Sequence, residues 1–200
     1  MNKSLRMDHK LISDMVRRGS TVLDLGCGNG DLLEILQKKR GTNGQGVEVN
    51  EEAIYICVEK KLSVFHMDIN SGLSGFANNA FQYVILNRVL SETTNISFVL
   101  NEALRVGEIV IVGFPNFAHF RSRMHFFFKG RSQFIEPCPY IWHESSYLHF
   151  FTINDIEVYL KKNKIRVLRR DFFSNRRISF RPDLFAKWAI YLISTEKVQL

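Results

Sequence analysis

Asp24-Leu25-Gly26-Cys27-Gly28-Asn29-Gly30 is the segment whose residue types and spacing promise chemistry. Glycine tolerates positive φ and lets a ligand come close to the main chain, so glycines at alternate positions describe a loop that cradles something. A dinucleotide fingerprint spaces its glycines G-x-G-x-x-G and aims a helix N-terminus at a pyrophosphate. Here the third glycine comes one residue early, and Asp24 stands two residues before the first. A carboxylate at that point suits a ligand's cationic group better than a phosphate. Glu48 and Asp68, each at the end of an apolar run, extend the pattern. An ionised carboxylate offers two acceptor oxygens, so Glu48 can take both hydroxyl protons of a ribose, and Asp68 can accept from an exocyclic adenine amine. A nucleoside carrying an amino-acid tail in place of phosphates meets all three requirements. S-adenosyl-L-methionine (SAM) is such a ligand.

The elements that must hold these residues are legible from periodicity. Residues 8–18 place Leu11, Ile12, Met15 and Val16 at helical spacing, with Gly19 as the expected C-cap. Residues 21–25 read as a strand buried on both faces, and Leu32, Leu33, Ile35 and Leu36 as a helix ending in the basic run 38–40. The unit repeats: strands are expected at 46–49, 63–67, 81–86 and 108–114, and helices at 51–61 and 96–104. Short apolar runs alternating with helical ones imply parallel βα units, with helices on both faces of the sheet. Residues 115–151 are crowded with Phe, Tyr, Trp, His and Arg and show no clean period. They are expected to form a lid or insertion over the sheet. Thr152 and Asp155 then offer a capping pattern for a helix to about 162, and 165–169 and 188–193 read as two last strands. With no repeat and no low-complexity linker, residues 1–200 are expected to form one domain.

Composition narrows the class. The 200 residues are 46% hydrophobic and 24% charged, enough apolar material for a real core. Residues 1–118 hold 12 basic against 13 acidic groups and residues 119–200 hold 15 against 7, so the basic excess lies in the C-terminal part. Cys27, Cys57 and Cys138 form no CxxC pair, which fits a reducing compartment. No apolar export segment is visible at the N-terminus and the longest apolar stretch is 188–193, so a cytoplasmic location away from membranes is expected. No His, Cys and acid set has metal-ligand spacing, and no metal site is expected. Arg121, Arg123, Arg176, Arg177 and neighbouring aromatics allow an RNA-binding surface, but arginines among aromatics equally describe a protein-protein hot spot. The second reading is preferred, because no RNA-binding module is recognisable.

Residues 22–30, Val-Leu-Asp-Leu-Gly-Cys-Gly-Asn-Gly, resemble the first motif of the class I SAM-dependent methyltransferases, with Glu48 and Asp68 matching that class's second-strand and third-strand acids. The resemblance implies a Rossmann-like fold with a mostly parallel seven-stranded sheet. It implies contacts to SAM or S-adenosyl-L-homocysteine (SAH) from Asp24, Gly26, Cys27, Gly28, Gly30, Glu48, Val49, Asp68, Ile69 and, through its backbone, Asn87. A narrower likeness is carried by Gly113-Phe114-Pro115-Asn116-Phe117-Ala118-His119-Phe120, Gly130-Arg131, Pro139-Tyr140-Ile141-Trp142 and Leu148-His149-Phe150-Phe151-Thr152. These segments resemble the methionine-biosynthesis MetW family. That resemblance implies an accessory or regulatory role beside homoserine O-acyltransferase. The alternative is an active methyltransferase on a small-molecule acceptor, with RNA a more distant substrate. A base helps when the acceptor is a hydroxyl or carbon acid. His119 and His149, inside the family-like segments, are the expected bases, against a reading in which both simply hold the lid. Cys27 is expected to be a small loop residue and not a nucleophile.

Overall fold

The computed structural model describes residues 6–130 and 149–195. Strands β1 (Thr21–Leu25), β2 (Asn43–Glu48), β3 (Ser63–His66), β4 (Phe81–Asn87), β5 (Gly107–Pro115), β6 (Arg166–Phe173) and β7 (Trp188–Ser194) form one sheet, ordered β3-β2-β1-β4-β5-β7-β6. Neighbours from β3 to β5 run parallel. β7 is inserted antiparallel between β5 and β6. The expected seven-stranded, mostly parallel α/β sheet is present.

Successive residues of a strand face opposite sides, and the central strands bury both. Leu23 and Leu25, Val84 and Leu86, and Val110 and Val112 share one core with α4 (Ile96–Val106) and α6 (Ile153–Lys162). Val22, Tyr83, Ile85, Ile109 and Ile111 share the other with α1 (Met7–Met15) and α2 (Asp31–Arg40). Two-sided burial is why these runs are continuously apolar. α3 (Glu51–Glu59) contributes Cys57 to a small cluster with Cys27 and Leu33. The chain leaves β1 for β2 and β3 on one side and returns to β4 and β5 on the other. The loops therefore diverge beyond the C-terminal ends of β1 and β4, the crevice in which open α/β sheets bind ligands.

Several boundaries differ from those expected. α1 stops at Met15 because Val16 is already extended. Gly19 lies beyond it in a turn at φ +73°, with its N–H on the Arg40 carbonyl, and so does not cap the helix. β2 starts at Asn43, carried by its pairing with β1 from Thr21 onward. Its Gly46 leaves room for Cys27 and Leu33, which a side chain there would strike. β6 runs on to Phe173 through its antiparallel pairing with β7. Within the segment expected as a lid, α5 (Phe120–Lys129) is a helix that buries none of its residues. Residues 131–148, which include part of that segment and the family-like 139–142 run, lie outside the described residues. α6 opens on the expected cap: Thr152 Oγ1 accepts from the Asp155 N–H and Asp155 Oδ2 accepts from the Thr152 N–H, at 3.2 and 2.8 Å. No described helix is long and apolar enough to cross a membrane.

Candidate functional site

The loop after β1 folds back on the end of β2. Gly26, at φ +69°, donates its N–H to the Val47 carbonyl at 2.8 Å, and a side chain at Gly26 would run into Val89. Gly28, at φ +52°, donates to Glu48 Oε2 at 2.7 Å. Where its Cβ would stand, no atom lies within 4 Å. Gly30, also left-handed, is the N-cap of α2.

Two cavities adjoin across this loop and share Gly26, Asn87 and Arg88. One, of about 290 Å³, is lined by Val47, Glu48, Val49, Asp68 and Ile69 and bounded by Glu92 and Thr93. The other, of about 320 Å³, is lined by Asp24, Cys27, Gly28 and Asn29 together with Arg6 and His9. All ten residues expected to bind the ligand line one or both cavities or, for Gly30, shape the loop between them.

The three acids stand in different states. Asp24 is 2% exposed, and its carboxyl has no hydrogen-bond partner among the described residues. Burial, with the Glu48 charge adding to it, pushes it up to about 8. Glu48 is held from its own loop: Oε1 accepts from the N–H groups of Val49 and Asn50 at 2.9 and 3.0 Å, and Oε2 from Gly28. Of roughly four lone-pair positions on a carboxylate, the one left lies on Oε2. The arrangement thus offers a ribose one acceptor on Glu48 rather than the two expected. Asp68 Oδ1 accepts from both the N–H and the side-chain amide of Asn70, at 2.8 and 2.9 Å. That leaves Oδ2 for a ligand.

Sequence reasoning missed the polar wall supplied by α1. Asp8 is 2% exposed. Its Oδ2 accepts from Arg6 at 2.6 Å, Arg88 Nε at 2.9 Å and Asn87 Nδ2 at 3.2 Å. Burial alone would raise this carboxyl, but the Arg6 hydrogen bond and the Arg88 and Arg6 charges hold it at about 2. Arg88 occupies φ +70°, a conformation rare outside glycine, with its N–H on the Gly113 carbonyl at 2.7 Å and its guanidinium 3.9 Å from the Trp188 ring centroid. His9 is 6% exposed and has no hydrogen-bond partner for its ring among the described residues. Burial pushes its pKa down, so the ring is neutral at pH 7. On the sequence, Asp8 and His9 are only the polar flank of an amphipathic helix, and Arg88 a single residue after a strand.

The two histidines expected as bases lie elsewhere. His119 caps α5, its Nδ1 accepting from the Arg121 N–H at 3.3 Å, and lines a separate cavity with Phe120 and Arg176. His149 donates its backbone N–H to the Ser91 carbonyl at 2.8 Å and leaves its side chain exposed. Neither imidazole is among the residues lining the glycine-loop cavities. Burial pushes the Cys27 thiol up, which suits an inert loop residue rather than a thiolate nucleophile.

A glycine loop between β1 and α2, in a sheet of this order, defines a Rossmann-like domain of the methyltransferase kind. Solved structures share that fold at low identity. A SAM-dependent methyltransferase from Aquifex aeolicus is 18% identical with a TM-score of 0.64, covering 94% of this chain and 89% of its own. A structure described as a putative Zn-dependent alcohol dehydrogenase from Rhodobacter sphaeroides is 12% identical with a TM-score of 0.70, covering 96% and 90%. The fold alone therefore does not choose the cofactor. The family model described as "Methionine biosynthesis protein MetW" matches residues 6–193, and the chain belongs to that family. The "Bifunctional methionine biosynthesis protein MetXA/MetW" of Rhodopirellula baltica is 38% identical over 162 residues. The match takes in 76% of this chain, and the chain spans about a quarter, 26%, of that relative's length. The family associates the chain with methionine biosynthesis.

Proposed function

We propose that this chain binds SAM or SAH across the two joined cavities and acts as an accessory or regulatory partner of a homoserine O-acyltransferase. Asp24 carries the cofactor part of this reading. A buried carboxyl with no hydrogen-bond partner among the described residues, beside the glycine loop, is suited to an ammonium group that would favour its ionised form, and this supports SAM over a dinucleotide. Adenosine belongs in the half lined by Glu48, Val49, Asp68 and Ile69, and the amino-acid tail in the half lined by Asp24 and Gly28. The partner part rests on the Rhodopirellula baltica relative, whose name joins MetXA to MetW in one protein.

Co-expression with the acyltransferase of the same organism, followed by size-exclusion chromatography, is expected to give one co-eluting complex. Separate elution at micromolar concentrations would refute the partnership. Calorimetry with SAH tests the cofactor separately. A valine at Gly28 fills the open space beside the loop and must adopt a strained positive φ. Gly28→Val is therefore expected to lower SAH affinity tenfold or more with the fold intact by circular dichroism.

His9 favours a second reading, a working methyltransferase on a small molecule. It is a neutral, buried imidazole lining the tail half of the site, where it can take a proton from an acceptor hydroxyl. Radiolabelled SAM with metabolite extracts would reveal the product, and in this reading His9→Ala abolishes its formation while sparing SAH binding.

A further inference from the structure

We infer that the β6–β7 connection and the first turn of α5 form a second binding site, for a phosphorylated nucleotide. The cavity there measures about 830 Å³, larger than either half of the glycine-loop site, and shares no residue with it. Its charged lining is Arg121, Arg176, Arg177 and Lys187, without a carboxylate. Arg177 lies 3.4 Å from Asp171. Arg121, Arg176 and Lys187 have no ion pair among the described residues. Like charges gathered on one cavity repel each other, so the arrangement favours an anion bearing more than one charge. Guanidinium groups match phosphate geometry in particular.

His119 is the independent observation. Its Nδ1 accepts from the Arg121 N–H, so the neutral ring carries its proton on Nε2. Burial and the charges of Lys187 and Arg121 favour that neutral form. The residue is 4% exposed, lines the cavity, and has no protein acceptor for Nε2–H among the described residues. The donor is therefore available to a ligand oxygen in the cavity.

Aromatic rings supply the rest. Phe180 and Phe185 stack with centroids 6.2 Å apart at 22°, and Phe120 meets Phe185 at 5.9 Å. Phe180 remains 75% exposed, an open face of the kind on which a base stacks. Arg169 and Arg170, which would extend the basic surface along β6, are paired with Asp171 and Glu157. With those two paired, the basic groups that meet the aromatic rings are the four lining this one cavity, a footprint that fits a small nucleotide.

ADP is the probe, titrated by calorimetry into the intact chain with SAH at saturation so that its adenine cannot enter the glycine-loop site. ADP is expected to bind under this condition, and adenosine and inorganic pyrophosphate each at least tenfold more weakly. Arg176→Ala combined with Lys187→Ala is expected to weaken ADP roughly tenfold or more and leave the melting temperature unchanged. His119→Asn keeps a capping oxygen for α5 but lacks the distal ring donor, and should weaken ADP several-fold. Loss of the ADP signal in the presence of SAH, or full ADP affinity in the double variant, would overturn the site. Tighter binding of a single-stranded RNA oligomer than of ADP, lost in the double variant, would overturn the small-nucleotide assignment.

Discussion

Between pH 6 and pH 8 the affinity for SAH is expected to climb roughly 50-fold, close to one logarithmic unit per pH unit at first, and to level off above pH 8. Asp24 is the cause. In the empty protein its carboxyl titrates at about 8 because it is buried and faces the Glu48 charge. At pH 7 it is therefore mostly protonated, while an ammonium beside it favours the ionised form. Binding must then release close to one proton, which calorimetry in buffers of different ionisation enthalpy measures directly. Asp24→Asn abolishes both the proton release and the slope. On folding the same group acts with the opposite sign. Its folded value lies above the ordinary 3.8, so its contribution is complete below about pH 4 and is lost as pH rises to about 8. Asp24→Asn should gain in melting temperature relative to the parent across that window, while its deficit in SAH affinity against the parent is largest at pH 8 and above. A pH-independent SAH affinity in the parent would remove Asp24 from the ligand's cationic end.

What could be read from the sequence follows from how local each signal is. β1 and its loop were legible because an apolar run buried on both faces leads directly into glycines that need positive φ. Glu48 was legible as the last residue of β2, and Asp68 because it follows the end of β3 by two residues. α5 was not. A helix that buries none of its residues has no apolar stripe, and Phe126, Phe127 and Phe128, exposed at 64%, 80% and 71%, blur any period further. The polar wall was equally hidden. Asp8 and Arg88 are separated by 80 residues, and nothing in either local run says that α1 docks beside the end of β4. His119 illustrates the same limit: it lines a cavity apart from the glycine loop, and spacing along the chain does not reveal which cavity a side chain will line.

Asp8→Ala is expected to cost about 3 kcal/mol of folding stability at pH 7, the lower end of the range for stranding a buried ionic partner. The lower end applies because Arg88 keeps a third of its side chain, 33%, in contact with solvent. Oδ2 holds Arg6, Arg88 and Asn87 and Oδ1 holds Arg6 a second time through Nε, so a single substitution releases four hydrogen bonds and unfastens α1 from the end of β4. Asp8→Asn keeps one acceptor oxygen and should lose only about half as much. The pH dependence fixes the origin of the effect. Asp8 is held below its ordinary value, at about 2, so its stabilisation is complete above about pH 4 and is lost as pH falls through about 2. The difference between parent and Asp8→Ala in urea unfolding should accordingly be constant from pH 5 to pH 7 and narrow toward pH 2. A difference that persists unchanged at pH 2 would assign the loss to packing around α1 rather than to charge. Because Arg6, His9 and Arg88 all line the tail half of the cavity, the same variant should weaken SAH in proportion to the disorder it introduces in α1. 5′-Methylthioadenosine, which lacks the amino-acid tail, should lose much less.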